Sequence, residues 1–360
     1  MNTHNYCIIL AGGTGRRLWP TSHRQCPKQF VDFLGTGRTL LQQTFDRTAK
    51  LVGEDHIFVS TFSEYHDLVA QQLPELADDH ILAEPVQLST APAVVWATCH
   101  IAMIDADANI VVVPSDQFVA NESRFIEQMN LGFSFVSDRD DFLAIGVKPT
   151  VPNTAYGYIQ RTGAATDAYT FRVKAFLEKP SSDYARMFVE SGEFLWNTGI
   201  FLFNAKTLFH LLCTNGLAVG ENMDRDHPVS TEEELALVKK AYPASMYTAI
   251  DLVILEKCQN VFVRQTDFGW IDLGGWTEIL EASAKDANGN AVVGKGRANL
   301  SACSNTVVSV GEGVSAIVCG LDNFVVAQEG NRILVCPNGD AQLVRKLVNE
   351  TQIMLGDEVL

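Results

Sequence analysis

Long apolar runs are missing from this chain of 360 residues. No stretch approaches the roughly 18 consecutive apolar residues needed to cross a bilayer, so no membrane-spanning helix is expected. Basic residues are also scarce: 27 Lys and Arg stand against 43 Asp and Glu, a formal net charge of −16. Such a surface repels nucleic-acid backbones and anionic lipid, and neither is an expected partner. An anionic ligand would need the few cations gathered in one place. The first five residues, Met1 to Asn5, carry no Lys or Arg, and the apolar stretch after them ends at Gly12. A secretory signal would need a basic start and a longer apolar core, so a cytoplasmic setting is expected. The 8 cysteines never form a C-x-x-C pair or a zinc spacing, and a reduced, mostly buried set is expected. With 47% hydrophobic residues, the composition excludes a disordered or fibrous chain.

What is present reads as alternating strands and helices. Tyr6-Cys7-Ile8-Ile9-Leu10-Ala11 is a continuous apolar run, as in a strand buried on both faces of a parallel sheet. Strands are expected at 57–60, 81–83 and 110–113, with helices near 40–52, 64–73 and 91–106. The order argues for an α/β fold with a Rossmann-like, mostly parallel but mixed sheet flanked by helices. In such sheets ligands sit beyond the carboxyl ends of the strands, which should bring the loops at 11–17, 84–90 and 114–117 to one crevice. Further strands are expected at 142–147, 158–160, 171–177 and 199–203, and helices near 205–212, 231–241 and 250–257. After Asp286 the texture becomes short β-rich runs separated by Gly and Asn, up to a final helix from 341 to 350. The expected division is therefore 1–285 and 286–360.

The most informative stretch is Leu10-Ala11-Gly12-Gly13-Thr14-Gly15-Arg16-Arg17-Leu18-Trp19-Pro20, followed by Pro27-Lys28-Gln29-Phe30. Glycines let a backbone approach a ligand closely and point successive N–H groups at anionic oxygens. Arg16, Arg17 and Lys28 add positive charge against the overall balance, which suits a polyphosphate. The Gly-Lys-Ser/Thr of a Walker A loop is absent, and so is the third glycine of a dinucleotide fingerprint. An ordinary glycine turn with surface arginines is the plainer alternative.

With these residues in view, the chain resembles the sugar-1-phosphate nucleotidyltransferases, and among them the mannose-1-phosphate guanylyltransferases. Their Gly-x-Gly-x-Arg-Leu-x-Pro signature with a following Pro-Lys is matched by Gly13, Gly15, Arg17, Leu18, Pro20, Pro27 and Lys28. Further likenesses are Glu84-Pro85, Thr90-Ala91-Pro92, Pro114-Ser115-Asp116, Gly157-Tyr158-Ile159, Glu178-Lys179-Pro180 and Trp196-Asn197-Thr198-Gly199. Ile250-Asp251, Leu255-Glu256-Lys257 and Trp270-Ile271-Asp272-Leu273-Gly274-Gly275-Trp276 complete the series.

The resemblance implies transfer of GMP from GTP to mannose 1-phosphate, releasing pyrophosphate. It implies nucleotide binding by Leu10, Ala11, Gly12, Gly13, Thr14, Gly15, Arg17, Glu84, Pro85, Thr90 and Asp116. Arg17 would stabilise the leaving group, and Lys28 would draw the reactants together as a point charge. Asp116, grouped with those two as catalytic, and Asp272 would ligate Mg²⁺, which takes one or two carboxylates besides phosphate and water. For Asp116 a plain turn or helix cap, and for Asp272 a glycine-flanked turn, remain the alternatives. Gly157, Glu178, Lys179 and Asn197 would face the sugar, with Trp196 and Trp276 packing the pocket wall. The C-terminal segment resembles the short left-handed β-helix-like tail of single-function guanylyltransferases, is too short for a fused isomerase domain, and implies a homodimer.

The chain departs from that pattern where Val86-Gln87-Leu88-Ser89 replaces Gly-Arg-Asn before Thr90, and where Gln117 replaces His. Arg16 falls at a position the pattern leaves open. The departures keep two alternatives in play: a relative using another sugar 1-phosphate or another nucleoside triphosphate, and a nucleotide-binding regulatory paralogue without turnover.

Overall fold

The structure, a computed structural model, describes residues 3–208, 231–245, 247–252, 258, 260–339 and 341–356. The chain divides into two compact units, each assembled from separated segments. The first takes Met1–Gly12, Phe45–Pro114 and Val119–Trp270; the second takes Gly13–Thr44, Ser115–Phe118 and Ile271–Leu360. The change of texture after Asp286 marks the start of the C-terminal strands, and the second unit also draws in the segment that carries Arg17 and Lys28.

The first unit is built on a nine-stranded sheet. Its strands are β1 (Asn5–Leu10), β2 (Ile57–Phe62), β3 (Ile81–Glu84), β4 (Asn109–Pro114), β6 (Phe142–Val147), β7 (Tyr158–Ala165), β8 (Thr170–Leu177), β9 (Phe194–Asn204) and β10 (Val261–Thr266). Two short strands, β5 (Gln117–Val119) and β11 (Trp270–Asp272), lie where the chain passes between units. The order is β3-β2-β1-β4-β9-β6-β10-β8-β7. The first four run parallel, with Cys7 opposite Ile57 on one side and Val111 on the other. β9 then runs antiparallel to both β4 and β6, and β7 and β8 are antiparallel as well. The sheet is therefore mixed, with parallel pairing concentrated in the half that begins the chain.

Burial explains the apolar character of β1, whose residues from Asn5 to Ile9 are all buried. Helices α1 (Leu40–Val52), α2 (His66–Gln72), α3 (Thr90–Ile104), α4 (Glu122–Val136), α5 (Ser182–Ser191) and α6 (Thr231–Ala241) accompany these strands. α3 is apolar around its whole circumference because it is enclosed: Val94, Val95, Trp96 and Ile101 share one core with Ile8, Phe58, Ile110 and Val112. Parallel β1 to β4 put their carboxyl ends, from Leu10 to Pro114, along one edge. The expected helices at 205–212 and 250–257 are described only over 205–208 and 250–252, where the backbone is helical. Their remainder, with Leu255-Glu256-Lys257, lies outside the described residues.

The second unit packs Leu18, Phe33, Leu40, Leu273, Trp276 and Ile279 with Val307, Val325, Val344 and Val348. It contains β12 (Ala291–Val293), β13 (Arg297–Ser301), β14 (Val307–Val310), β15 (Ser315–Cys319), β16 (Phe324–Glu329) and β17 (Arg332–Pro337), with α7 (Trp276–Ala282) and α8 (Ala341–Leu355). β12, β14 and β16 pair in parallel, as do β13 and β15, and β17 closes antiparallel on β16. Among the described residues no helix is long and apolar enough to cross a membrane.

The middle of the large sheet leaves no space at Gly146. A methyl there would stand 2.9 Å from Leu195 Cβ and from Val263 Cγ2. Gly146→Ala should lower unfolding stability by about 1–3 kcal/mol, the usual cost of overpacking. Denaturant titration of the two proteins checks this, and coincident curves would mean that β9 and β10 yield freely.

Candidate active site

Within the second unit the glycine loop is fixed by its carbonyls. Gln29 Nε2 donates to Gly13 O at 3.0 Å, Ser22 Oγ to Thr14 O at 3.4 Å, and Leu18 N to Gly15 O at 3.0 Å. None of these bonds uses an N–H of residues 13–16, so the loop commits its acceptors to the protein. Gly15 has φ 62° and no room for a side chain: a Cβ would come within 2.3 Å of Ser22 Oγ. A glycine is thus required twice over, by conformation and by space.

Lys28 is 6% exposed and carries an ammonium in a chain of net negative charge. Its Nζ lies 2.6 Å from Asp116 Oδ2 and donates to Leu273 O at 3.2 Å. Leu273 N in turn donates to Asp116 O at 3.1 Å, so the segment after β4 and the Asp272–Gly274 turn are tied backbone to backbone. Arg17, half-buried, reaches the same turn, its guanidinium atoms standing 3.0–3.3 Å from where a Cβ on Gly274 would sit. Burial, helped by the negative charge of Asp272, pushes the Glu278 carboxyl up, against the pull of Arg17. Asp116, Asp272, Arg17 and Lys28, far apart in sequence, therefore converge. Arg16 diverges: it is exposed and donates to Asn349 Oδ1 on α8 at 3.1 Å.

Within the first unit, β1 is followed by Ala11, whose N–H donates to Ser60 O and whose carbonyl accepts from Thr61 Oγ1. The Ala11 amide is thus occupied by β2. Gly12 O accepts from Gln87 Nε2 at 2.7 Å, and a Cβ on Gly12 would stand 3.9 Å from Glu84 Oε1. The loops after β1 and β3 therefore meet. Glu84, 7% exposed, accepts from Ser60 Oγ on one oxygen and from Tyr242 OH on the other, each at 3.2 Å. Its burial raises the carboxyl to about 7 despite those two donors. Thr90 Oγ1 accepts from Ile250 N, and Ala91 N donates to Thr248 O, which anchor the loop that carries Pro85.

The residues that depart from the family pattern have different surroundings. Leu88 packs against the core of the unit, where an arginine would have to reach outward. Ser89 holds φ 79° and ψ −174°, a region that strains any residue with a side chain, serine and asparagine alike. Gln117, in the second unit, is buried.

The other end of the first unit gathers Gly157, Glu178 and Asn197. A Cβ on Gly157 would lie 2.8 Å from Glu178 Oε2 and 3.4 Å from Asn197 Cβ. Asn197 N donates to Gly157 O at 2.8 Å, and Asn197 Nδ2 donates to Asp251 Oδ2 at 3.1 Å. An irregularity in the β6–β9 pairing sets this geometry: Gly199 takes φ 71°, its N–H donates to Asn197 Oδ1, and Thr198 Oγ1 donates to Ile145 O. Burial, then the nearby charge of Glu178, raises the Asp251 carboxyl. Lys179, exposed, pairs with Glu178 at 2.6 Å. Trp196 packs edge-on to Tyr156, and Trp276 is buried in the second unit, its Nε1 donating to Trp19 O.

Several participants are not among the expected residues. Asp251 has a signal in the Ile250-Asp251 likeness and Gln29 in the Pro-Lys-Gln-Phe run, whereas Tyr242, Ser60 and Gln87 carry none in the sequence. Among the described residues no three His, Cys, Asp or Glu side chains form a ready-made metal cage, and none of the seven described cysteines is in a disulfide.

Comparison with known proteins follows the same lines. The sequence pattern of the Nucleotidyl transferase family matches residues 6–289. The xanthan biosynthesis protein XanB of Xanthomonas campestris pv. campestris (strain B100) is 33% identical over 347 residues, 95% of this chain and 72% of that protein. The mannose-1-phosphate guanylyltransferase of Salmonella montevideo is 31% identical over 354 residues, 96% of this chain and 74% of that one. A crystal structure described as a mannose-1-phosphate geranyltransferase from Thermus thermophilus superposes with a TM-score of 0.84 at 27% identity, over 97% of this chain and 99% of that one.

Glu84 gives a test of this geometry by pH. Its carboxyl titrates near 7 when folded, against roughly 4.3 for an unperturbed glutamate. The folded state therefore binds the proton more tightly, and this stabilisation is complete at low pH and lost as pH rises through about 7. Relative to Glu84→Gln, the parent should lose on the order of 3 kcal/mol between pH 4.5 and pH 8. Urea unfolding of both proteins across that range measures the difference, and parallel profiles would show that Glu84 is not held as a neutral acid.

Proposed function

This chain belongs to the nucleotidyl transferase family, whose members move a nucleotide from a nucleoside triphosphate to a sugar 1-phosphate, and we propose that it transfers GMP from GTP to mannose 1-phosphate. The observation that carries the reading is the convergence of Arg17, Lys28, Asp116 and Asp272 on one turn of an acidic chain. A phosphate oxygen of mannose 1-phosphate attacks the α-phosphorus of GTP in line, the bond to the β-phosphate oxygen breaks, and pyrophosphate leaves. The work is the positioning and neutralisation of polyanions, and no protein nucleophile is required.

Arg17 balances charge on the departing pyrophosphate, and Lys28 presents a compact ammonium to the phosphate groups. The loop 13–15, its carbonyls already engaged, offers its N–H edge to phosphate oxygens. Glu84, in its ionised form, retains a second lone pair on each oxygen for the adjacent N1–H and N2–H donors of guanine, with Pro85, Thr90 and Leu10 to Gly12 completing that side. Gly157, Glu178, Lys179 and Asn197 take the sugar hydroxyls, supported by Asp251.

Two carboxylates on hydrogen-bonded segments, with phosphate oxygens at hand, are a donor set that suits Mg²⁺. Asp116 and Asp272 would hold the ion, which supplies Lewis-acid neutralisation of phosphate oxygens when bound. We read the C-terminal strands as a short left-handed β-helix, which the parallel pairing of β12, β14 and β16 supports. The reading includes a homodimer, supported by the exposed apolar Ile317, Ile333 and Val335 on those strands. It also includes a cytoplasmic setting, supported by the lack of disulfides among the described cysteines.

Pyrophosphate release should be fastest for GTP with mannose 1-phosphate when GTP, ATP, UTP and dTTP are each paired with several sugar 1-phosphates. Fastest turnover with UTP and glucose 1-phosphate would replace the substrates, and nucleotide binding without turnover in any pairing would leave a regulatory paralogue. Asp116→Asn should raise the Mg²⁺ concentration for half-maximal rate by roughly tenfold or more. An unchanged metal requirement would return Asp116 to a turn role.

A further inference from the structure

Gly274 is a glycine that its own backbone does not require. Its φ lies outside the left-handed region, in contrast to Gly15 and Gly199. What crowds a side chain here is Arg17: a methyl at this position would stand 3.0 Å from Nη2 and 3.3 Å from Cζ and Nη1, and nothing nearer surrounds it. The same turn offers the Leu273 carbonyl to Lys28 and the Leu273 N–H to Asp116. The turn thus sets both cations at once, one by a hydrogen bond and the other by an unfilled space.

We propose that Gly274 is a positioning residue, whose missing side chain provides the seat that fixes where the Arg17 guanidinium presents its charge. The proposal rests on the nucleotidyl-transfer reading and adds to it the element that places its leaving-group cation. A guanidinium is the far end of a flexible side chain, so a methyl beneath it can be accommodated by a shift of a few tenths of an ångström. Such a shift strains little of the fold and displaces the charge from the departing pyrophosphate. Interactions that neutralise charge in the transition state depend steeply on such distances, with roughly a hundredfold in rate for 1 Å of misplacement.

The experiment is a double-mutant cycle of Gly274→Ala with Arg17→Ala, read as kcat and as KM for each substrate. Gly274→Ala alone should melt as the parent does, lower kcat about threefold to tenfold, and leave KM for the sugar 1-phosphate unchanged. Arg17→Ala alone should lower kcat by at least about tenfold. Added to Arg17→Ala, the second change should leave kcat within about twofold, because the methyl then has no guanidinium to move.

An equal loss in both backgrounds would overturn the proposal, as would no loss in the parent. If Gly274→Ala fails to fold and the double variant folds, the clash with Arg17 is demonstrated directly. If neither folds, the methyl meets something else and the seat is refuted. If the parent turns over no substrate pair, the reaction reading fails by itself. The same cycle read as pyrophosphate affinity by calorimetry then decides the seat, and additive effects would refute it.

Discussion

The ammonium of Lys28 and the carboxylate of Asp116 hold each other inside a molecule that carries far more negative than positive charge. A buried ammonium loses its water and is tolerated only with close partners. Lys28 finds two, the carboxylate and the Leu273 carbonyl. Each belongs to a different stretch of chain, so the requirement to pair one charge also fixes three backbones against one another. The Arg17 seat and the placement of Asp272 follow from that junction. In this sense the ion pair acts more through specification than through net stability, since the gain from attraction is offset by the cost of desolvation.

Much of the first unit is legible from periodicity because its strands are buried on both faces. The runs at 57–60, 110–113 and 142–147 are mostly apolar without alternation, and the structure places strands there, the first two longer by two residues and the third with the expected bounds. α3 is legible for the same reason, a helix of small and apolar residues enclosed on every side. α4 and α5 escape notice because their apolar residues are mixed with Ser, Asn and Glu and cover one face only. β13, Arg-Ala-Asn-Leu-Ser, alternates between exposed and half-buried positions and offers little apolar signal. The antiparallel half of the sheet is hidden in its direction because strand pattern does not encode orientation.

The site shows the same division. Glycines, arginines and carboxylates in ordered motifs can be read from the chain, because their chemistry is carried by residue type. The hydroxyls that hold Glu84 cannot, since Ser60 is an ordinary strand residue and Tyr242 follows the end of α6. The role of Gln87 is hidden for the opposite reason. It lies in the stretch that departs from the family pattern, and its amide secures the Gly12 carbonyl. A loop that loses an arginine thus retains a polar anchor one residue earlier.

The second unit is stitched from segments near the beginning, the middle and the close of the sequence. On the ribosome, the stretch holding Arg17 and Lys28 emerges long before the strands and helices whose apolar side chains enclose Leu18, Phe33 and Leu40. Until those arrive, the nascent segment has no core of its own to join, and closing so long a loop is slow. The phosphate grip proposed for it is therefore acquired late in synthesis, and a chain released early would carry the motif without the surrounding architecture.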